Sequence, residues 1–169
     1  MDVKPLGAVP RSRVLLLSDW RSDPEGVITA CRERAAAGDV AFALVVPAWL
    51  HGLDWAGDPI GSRPCAARQL DTLERLAASA GLDVRFAGVG DPDPSSAVDD
   101  ALQRFAATEI LLCRDTWRRG HPIDLSHRLS WMTGLPVDTR RTRARRAGRE
   151  RRHWHALLEG GHCVPDRAL

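Results

Sequence analysis

Two apolar runs, Arg13-Val-Leu-Leu-Leu-Ser18 and Val40-Ala-Phe-Ala-Leu-Val-Val46, decide the fold. The first is a short, β-compatible run. The second is continuously apolar over strand length, which fits a central strand of a parallel sheet buried on both faces. Between them lies Asp19-Trp-Arg-Ser-Asp-Pro24, turn chemistry followed by a helix start. Ser22 or Asp23 can cap, Pro24 suits the first helical position, and Glu25 favours the positive end of the helix. Val27, Ile28, Cys31 and Ala35 then recur on one helical face, and Gly38 closes it. Strand, helix and strand with short connections make one βαβ unit.

Working outward, the alternation continues. Pro47–Pro64 is a loop rich in Gly, Pro, Asp and Trp, and Leu70, Leu73, Leu76, Ala77 and Ala80 mark a second helix stopped by Gly81. Leu82–Ala87 reads as the third strand. Gly88–Pro94 reads as a loop ending in a helix entry, with Asp93 as cap and Pro94 after it. Ala97, Val98, Ala101, Leu102 and Phe105 carry the third helix, and Glu109–Cys113 is the fourth strand. Arg114–Pro122 is a basic loop. Asp124 caps a helix bearing Leu125, Leu129 and Met132 that ends at Gly134, and Leu135-Pro-Val-Asp138 is a short fifth strand. Such alternation demands right-handed crossovers, so the expected fold class is α/β: a doubly wound open sheet of five parallel strands with helices on both faces.

The 169 residues suit one domain. The expected organisation is an N-terminal extension over residues 1–12, the α/β domain over 13–139, and an Arg-rich, partly disordered tail over 140–169. The tail holds nine arginines against three acids, whereas the rest of the chain has a net charge of −4. No apolar run is long enough to span a bilayer, so no membrane is expected as a partner. The N-terminus has no signal-peptide pattern, and the four scattered cysteines contain no Cys-x-x-Cys, which together imply a cytoplasmic protein with reduced thiols. His153, His155, His162 and Cys163 offer metal-ligand chemistry at a spacing that matches no standard site, so no metal is expected. Gly-x-Ser-x-Gly is absent, which disfavours nucleophile-elbow hydrolysis, and no catalytic residues are assigned.

Val14-Leu-Leu-Leu-Ser-Asp19, Thr108-Glu-Ile-Leu-Leu-Cys113, Gly134-Leu-Pro-Val137 and the passage Gly90-Asp-Pro-Asp-Pro94 to Ala97-Val-Asp-Asp-Ala-Leu102 carry a resemblance. Over roughly residues 12–139 the chain resembles the universal stress protein family, of the adenine-nucleotide alpha-hydrolase-like fold. The resemblance implies a stress-response role, a homodimer through the last strand, and an adenosine site at the acid after strand one and the backbone after strand two. Those positions are Asp19 and Pro47. ATP-binding members cradle phosphates in a loop of the form G-x2-G-x9-G-[ST] after strand four. Here Arg114–Asp124 contains a single glycine, Gly120, and Trp117, Arg118 and Arg119 stand where glycines would. Asp124 falls at the phosphate-binding Ser/Thr position. A carboxylate cap occupies the helix donors itself and repels a nearby phosphate by ~1–4 kcal/mol. ATP binding in the family manner is therefore not expected, and no cofactor is assigned.

The ends of the strands carry a second signal. Trp20, Trp49, Trp55 and Trp117 lie on loops at one rim, among Arg21, His51, Arg114, Arg118, Arg119 and His121, beside Asp19 and Asp54. Aromatic planes with arginines suit a small planar or anionic ligand. The candidate crevice is Asp19, Trp20, Pro47, Trp49, Arg114, Trp117, Arg118, Arg119, Gly120 and Asp124. The same tryptophans could instead fold back to plug the sheet end or pack in a dimer contact. Arg140, Arg141, Arg143, Arg145 and Arg146 could contact nucleic acid, although Trp154 is the only aromatic near them. Three functional readings stay open: a non-enzymatic binding or signalling module, an ATP-binding protein or enzyme of the same fold, and a nucleic-acid-associated protein acting through the tail.

Overall fold

A computed structural model describes residues 11–49, 62–114 and 124–142. Five strands alternate with four helices: β1 (Ser12–Ser18), α1 (Pro24–Ala35), β2 (Val40–Pro47), α2 (Ser62–Ser79), β3 (Asp83–Gly90), α3 (Pro94–Leu102), β4 (Glu109–Arg114), α4 (Leu125–Thr133) and β5 (Val137–Arg141). All pairings are parallel and the strand order is β3-β2-β1-β4-β5. The expected α/β architecture is the one observed.

Period-two alternation within the buried strands divides the core. Val14, Leu16, Phe42, Leu44, Val46, Leu111 and Cys113 face α1 and α2. Leu15, Leu17, Ala41, Ala43, Val45, Ile110 and Leu112 face α3 and α4. Every residue of β2 is buried, as its unbroken apolar sequence requires. Caps fix the helix entries: Asp23 accepts from Gly26 N, Asp93 from Ser96 N and Asp124 from Ser126 N. Gly134, at φ 69°, ends α4 in the left-handed conformation that glycine adopts without steric cost.

Several boundaries differ from the sequence reading: α3 ends at Leu102, short of Phe105, β4 runs on to Arg114, and three further differences bear on how the chain is held. β3 runs through Gly90 rather than ending at Ala87, because Gly88, Val89 and Gly90 pair with Val45, Val46 and Pro47. A Cβ at Gly90 would stand 2.5 Å from Ala97 Cβ, so glycine there serves a close strand–helix approach. α2 begins at Ser62, inside the stretch read as loop, because Ser62 Oγ donates to Ala48 O at 2.7 Å and anchors its first turn. β5 spans Val137–Arg141, displaced from the predicted Leu135–Asp138, so Arg140 and Arg141 belong to the sheet and not to the tail. Arg140 is held there by Asp138 at 3.1 Å and by Glu33 of α1 at 3.6 Å. Arg143, Arg145 and Arg146, and the remaining tail, lie outside the described residues.

Cys31 and Cys113 are free and buried. Among the described residues no helix is long and apolar enough to cross a membrane.

Candidate functional site

In the order β3-β2-β1-β4-β5, the chain leaves β1 towards one edge and β4 towards the other. Ligands of open α/β sheets bind outside the carboxyl ends of the strands at such a point. Of the crevice residues predicted above, Asp19, Trp20, Pro47, Trp49, Arg114 and Asp124 are described. Trp117, Arg118, Arg119 and Gly120 lie outside the described residues, as do His51, Asp54, Trp55 and His121.

Asp19 follows β1 and is buried. Its N–H donates to Cys113 O at 3.1 Å, which carries the β1–β4 pairing one step past the sheet. Its carboxylate turns back on its own loop, with Oδ1 accepting from Arg21 N at 3.0 Å. The Asp19 carbonyl accepts from Ser22 N at 2.9 Å, and the Ser22 hydroxyl donates to Cys113 O at 3.2 Å. A tight polar turn therefore fixes the exit of β1 against the end of β4. Gln69 of α2 braces it from outside, donating to Ser22 O at 2.9 Å.

The two described tryptophans are brought together but face apart. Trp20 packs partly buried against the core under α1 and α2, and Trp49 against the core under α3 and α4. The Trp20 indole N–H donates to Trp49 O at 2.9 Å and bridges the loops after β1 and β2. Each ring carries a guanidinium: Arg21 lies 4.9 Å from the Trp20 centroid and Arg114 5.0 Å from that of Trp49. Such cation–π pairs are worth ~0.5–1 kcal/mol at exposed sites and more when desolvated. Both rings pack back onto the sheet, and each also presents a cation at the rim. Pro47 ends β2 opposite Gly90 of β3.

Asp124 caps α4 as predicted. Its Oδ1 accepts from Ser126 N at 3.3 Å and its Oδ2 from the Ser126 hydroxyl at 2.5 Å. An N–H that a phosphate would need is thus already engaged by the chain's own carboxylate.

Four side chains at this end escaped the sequence reading as site residues. Ser22 was legible only as a cap candidate, and Ser62 and Gln69 sit in a stretch without motif character. Thr142, which follows β5 and donates its N–H to Arg114 O at 3.0 Å, lies inside an arginine run with nothing to mark it.

No protein-family model and no curated protein matches the chain. Solved structures do. A universal stress protein family protein from Arabidopsis thaliana, solved with AMP bound, superposes with a TM-score of 0.52 over 82% of this chain and 97% of its own, at 13% identity. A universal stress protein from Archaeoglobus fulgidus gives a TM-score of 0.45 at 14% identity, covering 77% of this chain and 93% of its own. A domain of a functionally unknown protein from Methanocaldococcus jannaschii gives 0.37 at 17% identity, covering 78% and 92%.

Proposed function

From its universal-stress-protein-like fold as premise, we propose that the chain is a non-enzymatic binding module for a small planar, anionic ligand, without a site for a nucleoside triphosphate tail. The carrying observation is the head of α4. There the Asp124 carboxylate takes Ser126 N, so the helix offers its own negative charge where a phosphate-binding helix offers free donors. Positive charge sits elsewhere on the rim, on Arg21 and Arg114 stacked over Trp20 and Trp49. That arrangement suits one planar group with one or two negative charges. AMP, the ligand of the Arabidopsis structure, has that chemistry.

Tryptophan fluorescence titrated with AMP, ATP and phenyl phosphate tests the reading. The expected result is a saturable change with AMP and phenyl phosphate, and an ATP affinity no greater than that for AMP. ATP binding about tenfold tighter than AMP, ~1.4 kcal/mol, would replace this reading with that of an ATP-binding protein. No response to any of the three would remove the rim as a site.

For assembly, we propose a homodimer through the outer edge of β5, which pairs with no other strand among the described residues. An antiparallel pairing about a two-fold axis at Thr139 sets Asp138 of each copy opposite Arg140 of the other, a self-complementary arrangement. Trp131, 85% exposed, and Met132 lie on α4, which packs next to β5, and give that helix exposed apolar surface. Native mass spectrometry should show a dimer that Thr139→Pro reduces to monomer, and a monomeric wild type would end this proposal.

A further inference from the structure

β3 is an edge strand: in the order β3-β2-β1-β4-β5, only β2 pairs with it among the described residues. Open edges invite pairing with another chain, and folds protect them with bulges and charges. The first half of β3 is protected in that way. Its register with β2 shifts between Phe42 and Ala43, so Arg85 is left over, and Arg85 is tied to Asp83 at 2.8 Å. The second half, residues 86–90, has neither bulge nor charge. Gly90 O accepts from Ala48 N at 3.2 Å, which fixes the phase. Gly88 and Gly90 turn their main-chain groups to β2, and Ala87 and Val89 turn theirs to the open edge.

Beside that edge, on the α3 side of the sheet, lies a cavity of about 280 Å³. Ala87 and Val89 line it although their side chains pack into the opposite layer, so it is their main chain that faces it. Gly88 and Gly90 lend it no side chain, and Val45, Phe86, Ala97 and Ala101 make it apolar inside. A cation stands at each end. Arg63 follows Ser62, whose hydroxyl donates to Ala48 O, and Ala48 in turn bonds Gly90. Arg104, just past α3, lies 5.9 Å from the Phe86 ring centroid. Both arginines line the cavity, and neither has an ion-pair partner among the described residues. Asp91 and Asp100 line it too, and Asp91 already accepts from Asp93 N at 2.8 Å. These opposite charges cancel, which disfavours a polyanion. From residue 86 to residue 90 a strand advances ~13 Å, and in an extended chain residues that far apart face the same side.

We propose that the second half of β3 and the cavity beside it take a short extended peptide by strand addition. The peptide main chain bonds Ala87 and Val89, and one apolar side chain enters the cavity. Acidic residues two places before and two places after it meet Arg63 and Arg104. The bulge and the Arg85–Asp83 pair confine the added strand to residues 86–90, which argues against a second copy pairing along the whole of β3. The site is separate from the rim, since none of Trp20, Trp49, Arg21 and Arg114 lines it.

Fluorescence anisotropy of a labelled, end-blocked heptapeptide, Thr-Glu-Thr-Val-Thr-Glu-Thr, tests this on the full-length chain. Binding should saturate and be ~10-fold tighter than with lysines in place of both glutamates. Arg63→Ala and Arg104→Ala should each weaken it ~3-fold. N-methylation of alternate peptide residues removes the donors on one side of the strand. In one phase it should abolish binding and in the other leave it intact. Val89→Pro, which deletes an N–H that β2 does not use, should also abolish it. Equal binding of the glutamate and lysine peptides, undiminished binding of both N-methylated forms, or no binding of the parent peptide would overturn the proposal. So would a dimer in native mass spectrometry that survives Thr139→Pro and is lost in Val89→Pro, which would assign the edge to a second copy.

Discussion

The indole N–H of Trp20 and the carbonyl of Trp49 meet at 2.9 Å, so a single side chain joins the loops that follow β1 and β2. The two residues are 29 positions apart and their rings pack against opposite faces of the sheet. That contact makes the rim one piece rather than two adjacent loops.

Trp20→Phe keeps an aromatic ring under Arg21 and deletes only the bridging donor. The Trp49 carbonyl is left without this bond, and a loss of about 1 kcal/mol follows. Thermal unfolding of the variant beside wild type checks it. An unchanged Tm would mean that water replaces the indole without cost.

Asp124→Ser retains a capping oxygen and removes the charge. Stability should stay within ~0.5 kcal/mol, since serine caps about as well as aspartate. Pyrophosphate binding should gain at least ~5-fold, matching relief of about 1 kcal/mol of repulsion. Calorimetric titration of both proteins with pyrophosphate reads the difference, and equal affinities would clear Asp124 of excluding phosphate.

Glycine-to-alanine changes on β3 should split sharply. At Gly90 the new Cβ would lie 2.5 Å from Ala97 Cβ, so strand or helix must move, at a cost of ~1–3 kcal/mol. At Gly88 it would meet the Phe86 ring edge at 3.2 Å, which a small ring rotation relieves. Urea midpoints should fall clearly for Gly90→Ala and little for Gly88→Ala.

The two free thiols set an alkaline limit. Burial pushes the Cys31 thiol up to about 12. Burial first, then neighbouring Cys31, raises Cys113 as well, against the lowering effect of Arg140. Unfolded thiols titrate near ~8.5. The folded chain therefore holds these protons more tightly, and the stability this confers is complete below ~8.5. It falls as pH climbs towards 12, by roughly 1.4 kcal/mol per unit for each thiol. Urea midpoints at pH 8 and pH 10 should show the decline, and Cys31→Ala should make it shallower. A pH-independent midpoint would place both thiols in water.

The layers of the fold were legible because β1, β2 and β4 are apolar on both faces and because Asp23-Pro24, Asp93-Pro94 and Asp124 announce helix starts. The ends of strands were less so. Gly88 and Gly90 have turn chemistry, and only the nearness of Ala97 explains why they lie in a strand. Arg140 and Arg141 continue an arginine run in sequence, but Asp138 and Glu33 hold Arg140 in β5. At the rim, Asp19, Trp20, Trp49 and Asp124 could be picked out by residue type. Thr142 could not, since its importance comes from burial against Gly26 across more than a hundred residues of chain.

Because every strand is parallel, β5 releases the chain at the same end of the sheet as β1, β2 and β4. Thr142 pins that departure to Arg114. Thr142 thus stands at the corner that the rim occupies. An occupant of the rim would therefore bear directly on the chain's exit from the sheet.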